Sequence, residues 1–167
     1  MKLKSEYVFD ADIEKTLEVC VTKTIGNADY FKEMMPNVSS VKVIEFKTRP
    51  DGKQDVIYEF CAHGQIPKAI HGMLKPEILT WREISTWDPA TKKYHFEIKT
   101  HYFTNMFSCK GYWTYESRGP KKTAQICIGV LEIKIPIFGP MIEKAIWPNL
   151  EKNWQESYEM TKKKYGI

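Results

Sequence analysis

The feature that most limits how this chain can fold is a periodic apolar stripe near its C-terminal end. Ile142, Ile146, Leu150, Trp154 and Tyr158 recur every four residues, while Glu143, Lys144, Glu151, Lys152, Glu156 and Glu159 fall off that stripe. This spacing predicts one amphipathic helix over Gly139 to Tyr165. Pro140 suits its first turn, and Pro148 is expected to bend it by removing an interior N–H. At 1.5 Å per residue such a helix is about 40 Å long, enough to cross a whole domain. A helix of that length, apolar along one side only, must be covered by a broad surface from the rest of the chain.

The preceding residues supply that surface in period-two segments. Leu3, Ser5, Tyr7 and Phe9 alternate with Lys2, Lys4, Glu6 and Val8 and read as a first strand with one buried face. Asp10 or Asp12 can cap a short helix over Ile13 to Thr22, with Leu17, Cys20 and Val21 inward. Gly26 stops it, Asn27 starts a second short helix, and Pro36 ends that one. Strands follow at Val41 to Lys47 and Asp55 to Ala62, joined by the Pro50-Asp51-Gly52 turn. The stretch His63 to Pro76 is irregular. Strand patterning resumes at Ile78 to Trp87, Tyr94 to Phe103, Phe107 to Glu116 and Thr123 to Ile135. About seven strands joined mostly by hairpins imply an antiparallel meander, hence an α+β fold with a curved sheet around a long C-terminal helix and two short helices after strand 1. With no repeats, low-complexity tracts or linkers, residues 1–167 read as a single domain.

Composition narrows the function classes. The formal net charge is +4, too modest to argue for nucleic acid, and no apolar run reaches the length of a membrane span. The N-terminal residues lack the apolar segment of a signal peptide. Cys20, Cys61, Cys109 and Cys127 are widely spaced without a CxxC pair, which reads as structural thiols in a cytoplasmic protein. No G-x-S-x-G elbow, GxGxxG or Walker sequence occurs, and His63, His71, His95 and His101 do not have metal-ligand spacing. The expectation is therefore no catalytic residue, no metal and no cofactor. Lys162, Lys163 and Lys164 read as cations at the negative end of the last helix.

The order of elements resembles the helix-grip fold of the START/SRPBCC superfamily, which includes birch-pollen-allergen-like proteins and polyketide cyclases. The stretch Leu131-Glu132-Ile133-Lys134-Ile135-Pro136-Ile137-Phe138-Gly139-Pro140-Met141-Ile142-Glu143 is similar to the strand-to-helix junction of an uncharacterised, mostly bacterial branch of it. The resemblance implies a tunnel between sheet and helix that holds lipids or other apolar molecules. Strand parity then places Tyr58, Phe60, Phe96, Ile98, Trp113 and Tyr115 on the cavity wall, facing Ile146, Leu150, Trp154 and Tyr158 on the helix. Ile66, Ile70 and Met73, among turn-formers, are candidates for the entrance.

Taken with the resemblance, these residues lead to the expectation of a protein that binds a lipid or other hydrophobic small molecule without catalysis. The alternatives are a polyketide cyclase or aromatase-like enzyme, and a protein-interaction module on the same fold. No nucleic acid and no stable membrane insertion is expected, and a protein partner is undefined.

Overall fold

The structure is a computed structural model. It describes residues 1–35, 38–61, 80–101, 105–134, 136–137 and 139–167, and in the last helix every side chain except those of Ile142, Ala145 and Ile146. The expected entrance residues Ile66, Ile70 and Met73 lie outside the described residues, as do His63, His71 and Tyr102.

Strand β1 (Lys2–Phe9) leads into α1 (Ile13–Leu17), which widens into a π-helical turn over Glu18–Thr22, and then α2 (Ala28–Met34). Six more strands follow: β2 (Ser40–Thr48), β3 (Gln54–Cys61), β4 (Thr80–Asp88), β5 (Lys93–Thr100), β6 (Phe107–Gly119) and β7 (Lys122–Ile133). Helix α3 (Gly139–Tyr165) closes the chain over the residues that its four-residue stripe marks. The seven strands form one curved antiparallel sheet in the order β1-β7-β6-β5-β4-β3-β2. Consecutive strands from β2 onward are neighbours, and β1 returns to the far edge beside β7. The two short helices therefore span the distance between the sheet's opposite edges.

Local chemistry explains the boundaries. Asp12 accepts a hydrogen bond from the Lys15 N–H at 2.8 Å and Asn27 one from the Tyr30 N–H at 3.1 Å, so each side chain satisfies an otherwise orphaned donor at a helix start. Gly26, between the helices, has φ +72°, a left-handed conformation that glycine adopts without steric cost. Thr16, Val19 and Val21 are buried, and Leu17 and Cys20 also face inward, half-buried against Val21, Trp87 and Tyr115.

Helix α3 is fixed along its length. At its start the Glu143 carboxylate accepts the Ile133 backbone N–H at 2.8 Å and pairs with the Met1 amino group at 2.9 Å. Midway the Tyr158 hydroxyl donates to the Val8 carbonyl at 2.7 Å, and its ring packs at 5.0 Å on both Tyr7 and Phe9. Near its end Lys162 pairs with Asp10 at 3.1 Å and Lys164 pairs with Glu33. Two of the three terminal lysines thus tie the helix to the β1–α1 connection and to α2, in addition to offsetting the helix dipole. Pro148 lies inside the helix.

Candidate functional site: a cavity between sheet and helix

Inward-pointing residues of β3 to β7 and one side of α3 do not meet everywhere. Between them is a cavity of about 370 Å³, near the low end of the range for small-molecule sites. The sheet contributes Phe60, Trp81, Ile98, Trp113 and Tyr115, and Leu150, Trp154 and Tyr158 come from α3. Trp113 and Trp154 meet edge to face across the sheet–helix boundary, their ring centroids 5.1 Å apart. Phe60 stacks on Trp81 at 5.5 Å. Aromatic bodies of this kind give large apolar area with few conformations to lose.

Seven of the expected cavity residues stand on this surface: Phe60, Ile98, Trp113 and Tyr115 from strand parity, and Leu150, Trp154 and Tyr158 from the helix stripe. Two stand behind it. Tyr58 is fully buried, its hydroxyl accepting the Gly26 N–H at 2.7 Å and donating to the Thr24 carbonyl at 3.2 Å. Phe96 packs with Leu3, Cys109, Cys127 and Leu131 in the adjoining core. Parity puts a side chain on the correct face of a strand, but depth along the strand decides whether it meets the void or solid packing. The Ile146 side chain lies outside the described ones.

The lining also holds polar residues that the apolar patterning passed over. On α3, Asn149, Asn153, Ser157 and Thr161 recur every four residues beside the apolar stripe and line the cavity with it. The Thr161 hydroxyl donates to the Ser157 carbonyl at 2.8 Å and lies 3.3 Å from the Tyr30 hydroxyl. From the sheet, Gln125 donates to the Tyr115 hydroxyl at 3.0 Å. The same four-residue spacing that reveals the apolar stripe also reveals this neutral one.

The most unusual lining residue is Glu83, on β4. Inward positions of that strand carry Trp81, Glu83, Ser85 and Trp87, while Arg82, Ile84 and Thr86 point outward. Register sets Glu83 between Tyr58 of β3 and Ile98 of β5. Ser85 donates to its Oε1 at 2.7 Å. Burial pushes the carboxyl above the usual glutamate range, and the nearby Ser85 and Tyr94 hydroxyls only partly offset this. The surface that Glu83 retains faces the cavity. Tyr94 also lines the cavity, and its buried hydroxyl is close to Glu83, Ser85 and Tyr58 without a well-aligned hydrogen bond to any of them. A carboxyl flanked by Trp81 and Trp87 at alternating positions was legible as inward-facing once the strand's buried side was known.

Other chemistry-bearing groups are arranged structurally. Cys109 and Cys127 are buried together and burial pushes both thiols up to about 12, which keeps them protonated and unreactive. No disulfide joins the four cysteines. His95 and His101 are exposed, and the His101 ring lies 3.4 Å from Glu59 on the outer face. Among the described residues no three His, Cys, Asp or Glu side chains gather in a metal-holding arrangement, and no helix is long and apolar enough to cross a membrane.

A sequence profile described as "Protein of unknown function (DUF2505)" matches residues 6–164. The chain belongs to that family. No curated protein matches the sequence. Among solved structures, norcoclaurine synthase from Thalictrum flavum, in complex with dopamine and hydroxybenzaldehyde, is similar at TM-score 0.70 and 10% identity. That match covers 99% of this chain and 87% of the synthase. A START superfamily protein from Mycobacterium smegmatis is similar at TM-score 0.61 and 15% identity, covering 97% of each chain. The di-domain aromatase/cyclase BexL from the BE-7585A biosynthetic pathway matches at TM-score 0.63 and 13% identity; 95% of this chain is covered, but only 45% of BexL. At these identities the likeness establishes the fold, which is the helix-grip fold of the START and birch-pollen-allergen-like superfamily. It assigns no activity.

Proposed function

We propose that this DUF2505 protein binds a hydrophobic small molecule in the cavity between sheet and helix α3, without catalysis. The observation that carries this reading is a void of about 370 Å³ bounded by Trp81, Trp113, Trp154 and Tyr158 where a fully packed core would have been denser. Removing a ligand's apolar surface from water drives binding by about 25 cal/mol per Å² before ordering costs. Residues 1–167 act in this reading as one binding unit. The lack of disulfides among four cysteines supports a cytoplasmic setting.

Native mass spectrometry of protein purified from its own host tests the reading. An adduct that disappears on denaturation is the expected result. Protein that is always empty and takes up no added apolar molecule would overturn it.

One observation favours the second reading, a cyclase- or aromatase-like enzyme. The lining is not purely apolar, since Glu83 stands in it beside Ser85 and Tyr94. A carboxyl whose affinity for protons is raised by burial is suited to proton transfer. Turnover of a bound polyketide-like substrate, abolished in Glu83→Gln, would favour that reading over simple binding.

A further inference from the structure

The charge pattern of the cavity selects among hydrophobic ligands. Among the described lining residues Glu83 is the one acid, and none is Lys, Arg or His. A ligand carboxylate would find no cation there to offset the loss of its hydration. Around Glu83 the wall is aromatic: Trp81 is the next inward residue on β4, Phe60 stacks on it, and Tyr94 lines the same space. Ring faces attract cations. The buried Tyr94 hydroxyl lies at the same corner, beside Glu83 and Ser85.

Resting on the ligand-binding reading above, we infer that the cavity takes a hydrophobic amine, whose ammonium group pairs with the Glu83 carboxylate while its apolar body packs against Trp81, Trp113 and Trp154. The apolar body supplies most of the affinity. Glu83 supplies the choice between head groups, since a desolvated ammonium needs a carboxylate partner and a desolvated carboxylate does not want one. A neutral alcohol can hydrogen-bond at the same corner without the charge pairing, so it ranks between the two.

Three probes with one body and different heads test this directly: 2-(1-naphthyl)ethylamine, 2-(1-naphthyl)ethanol and 1-naphthylacetate. Their affinities for the full chain are measured by calorimetry at neutral pH. The expected order is amine, then alcohol, then carboxylate, with the amine at least tenfold tighter than the alcohol. Glu83→Gln removes the charge at nearly constant shape and is expected to erase the amine's advantage while leaving the alcohol within about threefold. Glu83→Met, apolar and of similar length, provides an independent variant that is likewise expected to erase the amine's advantage over the alcohol, and thermal melting verifies that each is folded. Equal binding of amine and alcohol in the parent, or tightest binding of the carboxylate, would overturn the amine inference and leave the binding function standing. Binding of none of the three would overturn the binding reading and the inference together.

Discussion

The Glu143 side chain at the start of α3 reaches back to accept the backbone N–H of Ile133, the last residue of β7, at 2.8 Å. Gly139 lies at the same crossing: a Cβ there would stand 2.0 Å from the Ile133 carbonyl oxygen. The strand end and the helix start therefore clasp one another at Ile133, through one hydrogen bond and one contact too close for any side chain. That clasp sets where the long helix leaves the sheet.

Gly139→Ala is expected to force the helix start away from β7. Overpacking of this kind costs about 1–3 kcal/mol, which urea unfolding would read as a lower midpoint with little change in slope. Unchanged stability would show that the clasp yields easily.

Glu143 also confers a pH dependence. Its hydrogen bonds, first from the Ile133 N–H and then from the Met1 amino group, hold the carboxyl below the usual glutamate value. The folded state binds this proton more weakly than the unfolded chain. Its contribution is thus present above the ordinary glutamate range and lost as pH falls through the lowered value. The stability gap between the parent and Glu143→Gln should accordingly narrow on acidification.

Glu83 behaves with the opposite sign. Burial raises its pKa, so the folded state holds the proton more tightly and stability falls as pH rises from the ordinary glutamate value of 4.5 through the raised one. The titratable groups that interact with it electrostatically are Tyr58 on β3, Tyr94 on β5, Cys109 on β6 and Cys127 on β7, all shifted upward and neutral in this range. Glu83→Gln should be more stable than the parent at neutral pH and show a flatter profile, as chemical denaturation across pH 4 to 8 would reveal. A parent that gains stability over that window relative to the variant would contradict a buried, unpaired carboxyl.

Gly111 on β6 opposes Gly129 on β7, and a Cβ on Gly111 would lie 2.3 Å from the Ile128 carbonyl oxygen and 2.6 Å from the Gly129 Cα. The two backbones approach at a spacing that admits no side chain. Gly111→Ala should lower stability by about 1–3 kcal/mol. Two-dimensional NMR would show the largest shift changes around Ile128 and Gly129.

Filling the cavity separates binding from folding. Leu150 lines it from α3, so Leu150→Trp adds bulk into empty space instead of solid packing. Ligand uptake should fall at least tenfold while the melting temperature stays the same or rises, measured by native mass spectrometry and calorimetry. Undiminished uptake would place the ligand elsewhere.

Local patterning determined the elements. Period-two alternation marked the strands, Asp10 or Asp12 and Asn27 marked the starts of the short helices, with the structure choosing Asp12, and the four-residue stripe marked α3 from Gly139 to Tyr165. These signals are legible because each depends on residues within a few positions of one another. They also brought Trp113, Tyr115, Leu150, Trp154 and Tyr158 to one surface. What only the tertiary structure decided is depth and company. It set Tyr58 and Phe96 into solid core instead of the void, and brought Glu83 to a corner with Ser85 and Tyr94. It also turned a second stripe, Asn149 to Thr161, toward the cavity. The long amphipathic helix was readable from its own residues. The cavity it covers is a gap between elements distant in sequence, and no local pattern encodes the space between them.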